Sequence, residues 1–119
     1  MLLSEAILAG AAQTRPIHGR LYLYKYGKVE GTCAIGAALL AQNNGRAKPL
    51  CYHDFARVFP SWTNVVISRC PAGCPWPYGN SRSVMGAMAH LYDDGHNWCR
   101  EAIAGWVATM ESKAQVATA

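Results

Sequence analysis

Cys70-Pro71-Ala72-Gly73-Cys74-Pro75-Trp76-Pro77-Tyr78-Gly79-Asn80 is followed, with fifteen residues between Cys74 and His90, by His90-Leu91-Tyr92-Asp93-Asp94-Gly95-His96. The first stretch is too dense in turn formers for regular structure, because proline removes backbone donors and glycine admits left-handed conformations. Between the two stretches, Ser81 or Ser83 is expected to cap a helix containing Val84, Met85, Met88 and Leu91, which breaks at Asp93-Asp94-Gly95. Two thiols on a tight turn thus precede two imidazoles at the end of a helix.

That is the donor set of a closed tetrahedral zinc site, with turn ligands first and helix ligands second, as in Cys2His2 fingers. The histidine spacing needs a break in the helix. Six residues at about 100° each carry His96 about 240° around the axis from His90, so an unbroken helix cannot aim both at one ion. Gly95 supplies the left-handed residue that ends the helix and redirects the chain, and Asp93 or Asp94 is placed to orient a histidine ring. Taken singly, Cys70 and Cys74 read as buried thiols or a disulfide, and His90 as a core histidine. Four candidates in this order favour structural Zn2+ at Cys70, Cys74, His90 and His96, with Cys51, His53 or Cys99 open as substitutes. Four protein ligands leave no position for water, and no H-E-x-x-H or H-x-E pattern supplies a general base, so no enzymatic role is expected.

Working outward, Leu3, Ile7 and Ala11 recur at steps of four, which predicts a helix over 2–13 ended before Pro16. Tyr22, Tyr24 and Tyr26 alternate with Leu21, Leu23 and Lys25 as on a strand, closed by Gly27. Thr32 is a candidate N-cap for an alanine-rich core helix running to about Gln42, stopped by Asn43-Asn44-Gly45. Its small residues Ala34, Gly36, Ala37, Ala38 and Ala41 allow another element to approach closely. Residues 52–59 suit a short helical piece ended by Pro60, and Val65-Val66-Ile67 a buried strand. A last helix over about 98–110 carries a core stripe of Ile103, Trp106, Val107 and Met110, with 114–119 frayed. The expected fold is α+β: one small domain over 1–119, its helices packed on a short antiparallel sheet, with a zinc-binding segment at about 70–96.

Composition agrees with a folded chain. Of 119 residues, 51% are hydrophobic and 15% charged, which excludes a disordered tail. The apolar run Thr32–Gln42 is far short of the roughly 20 residues that span a bilayer. The opening Met1-Leu2-Leu3-Ser4-Glu5 lacks a basic leader segment, so a reducing cytoplasm is expected, where close cysteines favour metal over disulfides. The net charge of +4 divides unevenly: residues 1–82 hold nine basic side chains against three acids, and residues 83–119 two against four. That distribution fits neither an acidic nucleic-acid mimic nor a clustered basic DNA-binding stripe.

Other features are weaker. Cys33, at a helix start, has no identifiable histidine partner and reads as a packed small residue. The glycines of Gly31–Gly36 are followed by Ala37-Ala38 rather than Lys-Ser/Thr, so they form no phosphate loop.

The segment His90-Leu91-Tyr92-Asp93-Asp94-Gly95-His96-Asn97-Trp98-Cys99-Arg100-Glu101-Ala102-Ile103-Ala104-Gly105-Trp106-Val107 resembles the H-L-N-D-x-H-x-W-[ST]-R-E-x-I-A-x-W-[VL] ending of small phage and prophage proteins. Their earlier parts carry a helix similar to Gly31–Ala38 and a C-P-x-C turn similar to Cys70–Cys74. Here Tyr92 replaces an asparagine, the cysteine turn has one extra residue, and Cys99 stands at a Ser/Thr cap, for which Asn97 is a substitute one turn earlier. Within that group the chain is similar to zinc-containing anti-CRISPR proteins. The resemblance implies an inhibitor in the bacterial host cytoplasm that binds the CRISPR nuclease Cas9 and hinders target DNA loading or a conformational step. Asp93, Asp94, Glu101 and Glu111 are then a candidate contact with that basic partner. The alternative is a zinc-finger-type nucleic-acid-binding protein using Tyr22, Tyr24, Arg20, Arg69 and Arg82; direct nucleic-acid binding is the less favoured expectation.

Overall fold

A computed structural model of the chain describes residues 1–43, 50–76 and 81–118. Helix α1 (Leu3–Gln13) leads into a short strand β1 (Arg15–Pro16), and a hairpin of β2 (Tyr22–Lys25) and β3 (Lys28–Thr32) precedes α2 (Ala34–Gln42). A 3-10 turn (Tyr52–Asp54), helix α3 (Phe55–Val58) and a second 3-10 turn (Pro60–Trp62) follow. The ribbon β4 (Val66–Ile67) and β5 (Arg82–Ser83) brackets the cysteine turn, and α4 (Val84–Asp93) and α5 (Arg100–Thr118) complete the α+β fold.

Helix α2 is apolar on every side, and every residue from Ala34 to Leu40 is buried. An all-round apolar helix is stable only in the middle of a core, and its small residues let the neighbours close in. Helix α1 crosses it with Gly10 against Ala37: a Cβ on Gly10 would collide with the Ala37 carbonyl. Gly36 presses in the same way on the Leu21 carbonyl. Leu3, Ile7, Leu39, Met88, Leu91, Ile103 and Val107 fill the space between the helices. Each such side chain contributes about 2 kcal/mol by leaving water.

The three-stranded sheet has the order β1-β3-β2 and is mixed, since β1 pairs parallel to β3 while β2 pairs antiparallel to it. Tyr26 does not continue the strand. It sits in the turn at φ 52° beside Gly27 at φ 76°. Burial also falls along the hairpin rather than alternating between faces: residues 21–23 are half-buried and 24–28 exposed. The register shifts between Leu23 and Tyr24, where Glu30 is the extra residue on β3.

Several expected boundaries shift. Thr32 ends β3, and Cys33 caps α2 instead, its Sγ accepting from the Gly36 N–H at 3.3 Å. Cys99 caps α5 likewise, accepting from Ala102 N–H at 3.4 Å; sulfur thus occupies the position expected of oxygen, and Asn97 lies in the preceding turn at φ 54°. Ser83 is the cap of α4. Helix α5 runs to Thr118 rather than fraying from 114. Of the expected buried strand only Ile67 is buried, while Val66 is exposed. The helix stop at Asn44-Gly45 and the turn residues Pro77–Asn80 lie outside the described residues.

Arg100 joins three elements. Its guanidinium is buried and donates to Thr14 Oγ1 (2.9 Å), Thr32 Oγ1 (3.0 Å), the Thr14 carbonyl (2.9 Å) and the Ala11 carbonyl (3.2 Å). The Thr14 hydroxyl donates to the Gly10 carbonyl at 2.7 Å, so in its 2.9 Å contact with Thr32 it is the acceptor. A buried cation here is matched by the carbonyl end of α1, where the helix dipole is negative. Charge-assisted bonds of this kind are roughly twice as strong as neutral ones.

Candidate metal centre

Cys70, Cys74, His90 and His96 converge as the spacing implies, with their donor atoms all within 4.8 Å of one another. The cysteine turn closes through the Gly73 N–H, which donates to the Cys70 carbonyl at 2.9 Å. His90 projects from the last turn of α4, which Asp94 caps by donating its N–H to the His90 carbonyl. Gly95 then turns at φ 94° and Asn97 at φ 54°, and the Trp98 N–H returns to the Leu91 carbonyl at 3.1 Å. The break predicted from the histidine spacing is therefore present, and it swings His96 back over His90.

The distances fit a cation. His90 Nε2 lies 3.1 Å from both Cys74 Sγ and His96 Nε2, and Cys70 Sγ lies 3.6 Å from His96 Nε2. Zinc bonds of about 2.3 Å to sulfur and about 2.0 Å to nitrogen place tetrahedral neighbours roughly 3.3 to 3.8 Å apart, close to this spacing. His90 Nδ1 meets Asp94 Oδ2 at 3.2 Å, which fixes the Nδ1–H tautomer and leaves the Nε2 lone pair facing the cluster. Of the two candidate aspartates, Asp94 takes this role. Asp93 instead accepts from His18 Nδ1 (3.2 Å) and Gly19 N–H (3.3 Å), while the His18 ring stacks on Tyr92 at 4.3 Å.

Electrostatics prepare one thiol. Burial opposes the Cys70 thiolate, but the Cys74 N–H, the Cys74 thiol, the Ala72 N–H and His90 outweigh it and hold the thiol near 6, at about 6 against an ordinary 9.0. Burial and the adjacent Cys70 charge push Cys74 upward. A cation resolves the conflict by taking both as thiolates.

The other cysteines stand apart from this cluster. Cys51 Sγ lies 3.7 Å from His53 Nδ1 at the surface, and no further donor joins them among the described residues. Cys99 is occupied as a helix cap, and burial pushes the Cys33 thiol up, away from a reactive thiolate. All five cysteines are free. Beside the cysteine turn is a notch of about 420 Å3 lined by Arg69, Gly73, Pro75 and Trp76, and the Arg82 guanidinium lies 5.2 Å from the Trp76 ring.

The acidic set is not one patch. Asp93, Asp94 and Glu101 are exposed, but Glu111 is buried, and among the described residues neither of its carboxylate oxygens has a hydrogen-bond partner. Its position four residues after Val107 puts it on the face of α5 that packs inward, which removes it from any contact surface. Sequence reasoning also missed Arg100, whose partners are far away in the chain.

Among the described residues no helix is long and apolar enough to cross a membrane. Comparison with known protein families, curated proteins and solved structures gives no match.

Proposed function

We propose that the protein is a non-catalytic binding module whose surface is held in shape by structural zinc at Cys70, Cys74, His90 and His96. The observation that carries this reading is the convergence of four protein donors within 4.8 Å of one another. An ion so enclosed has no open position from which to activate water. Two sulfurs and two imidazoles suit zinc better than the hard, oxygen-seeking cations.

The partner follows from the resemblance of residues 90–107 to the phage-protein ending: it is the bacterial CRISPR nuclease Cas9, met in the host cytoplasm and hindered in DNA loading or in a conformational step. Asp94 and Glu101, both exposed, are the contact residues of this reading, complementary to a basic nuclease.

The test combines elemental analysis with a pull-down. One equivalent of zinc in protein purified without added metal, together with Cas9 capture that Glu101→Arg weakens, is the expected result. Capture unaffected by Glu101→Arg would remove the acidic contact, and absence of capture would remove the partner. Less than about half an equivalent of zinc would refute the structural ion.

A further inference from the structure

We propose that the tip of the β2–β3 hairpin binds single-stranded nucleic acid, with Tyr24 and Tyr26 stacking bases and Lys25 and Lys28 meeting phosphates. The proposal goes beyond the reading above and stands without it, since the tip shares no residue with the metal centre.

Three features of the tip oppose the hairpin's own stability. The turn is of the type in which both central residues have positive φ, Tyr26 at 52° and Gly27 at 76°. Its first position favours Asn, Asp or Gly, because a short polar side chain or none tolerates the left-handed conformation. A bulky aromatic is disfavoured there. The ring also gains nothing by burial, being 94% exposed with only the Lys25 ammonium 6.0 Å from its centroid among the described contacts, and Tyr24 is 51% exposed. Lys25 and Lys28, finally, are paired directly across the strands, where like charges repel.

No acid relieves that repulsion. Glu30, the nearest in sequence, is engaged by Arg15 at 3.3 Å, and among the described residues neither lysine has an ion pair. Arg20, exposed at the foot of β2, adds a third cation. An aromatic in a conformation it disfavours, fully in solvent, between two facing lysines, is explained by a ligand with flat faces and negative charge.

Single-stranded nucleic acid meets both conditions. Bases stack on an exposed ring without a pocket, whereas tyrosines that anchor protein partners work from desolvated, apolar surroundings. Every residue from 24 to 28 is exposed, and none but the two tyrosines is aromatic or large and apolar.

Tyr26→Asn separates binding from folding, because Asn-Gly is the favoured pair for this turn. Fluorescence anisotropy with labelled oligothymidylate and oligouridylate, on the full zinc-loaded chain, is expected to show binding that weakens with salt. Tyr26→Asn should weaken it at least about fivefold, and Tyr26→Phe should stay within about twofold of the natural chain. The thermal midpoint of Tyr26→Asn should be unchanged or higher. Lys25→Gln and Lys28→Gln should each lower the salt slope by about 0.7. Absence of salt-dependent binding to either oligonucleotide, or undiminished binding by Tyr26→Asn, would overturn the proposal. Binding of poly-glutamate in place of the oligonucleotides would also overturn it and assign the tip to an acidic protein.

Discussion

Between α1 and α2 the helix backbones touch, with Gly10 seated on the Ala37 carbonyl and apolar side chains filling the flanks. Between Cys70 and His96 the described residues form a turn, the strand β5 and the helix α4, and the two ends meet through sulfur and imidazole. The first region holds its shape by excluding water. The second brings together four donors whose lone pairs would repel one another until a cation entered. Order of the first kind is spread over many contacts; order of the second kind, on the proposed metal reading, would be vested in one ion and could be withdrawn in a single step.

The largest effect should therefore come from the metal. A strong chelator or Cys74→Ser should cost several kcal/mol, since structural zinc contributes about 10 kcal/mol or more in isolated fingers. Hydrogen exchange followed by mass spectrometry should show residues 66–76 and 84–98 losing protection first while α1 and α2 keep theirs. Simultaneous loss across all four would break the contrast and make the molecule one cooperative unit.

Gly10→Ala probes the other region. The added methyl meets backbone that cannot step aside, so we expect about 3 kcal/mol of destabilisation in chemical denaturation, with zinc content unchanged. A cost below about 1 kcal/mol would mean that α1 slides easily over α2.

Arg100→Met tests the clamp. It removes four hydrogen bonds and takes the charged donor from the Thr14 carbonyl and from the Ala11 carbonyl, which keeps the Thr14 N–H. The loss should be about 2 kcal/mol, because removing a buried charge offsets part of the cost. A stability equal to the natural chain's would show that apolar contact alone joins α1 to α5.

Cys99→Ser should have the smallest effect, a gain of about 0.5 kcal/mol from an oxygen cap in place of sulfur at the start of α5. Thermal unfolding under reducing conditions reads it, and a loss of stability would mean that the Cys99 sulfur does more than cap.

What could be read from the chain was local or periodic. The first helix, read over 2–13 and found over 3–13, the turn at Gly27, a serine cap at Ser81 or Ser83 and the convergence of the four Cys and His donors follow from spacing and from the conformations that each residue type tolerates. Several of the misreadings share a physical cause, which is a partner distant in sequence. Thr32 has the chemistry of a cap, but β3 and Arg100, 68 residues away, claim it, and Cys33 takes over the helix start. Glu111 has the charge of a surface residue, and only the packing of α5 shows that it faces inward. The parallel pairing of β1 with β3 likewise depends on where α1 delivers the chain, which no short window of sequence contains.

The seating of Gly10 and Gly36 on opposing carbonyls has a consequence for how this sequence can drift. Each position admits hydrogen and nothing larger, so divergence must pass around them, and descendants of a common ancestor should keep both glycines while exchanging the alanines beside them. Gly105, on the open side of α5 with no atom near enough to meet a side chain, carries no such bar and should wander freely.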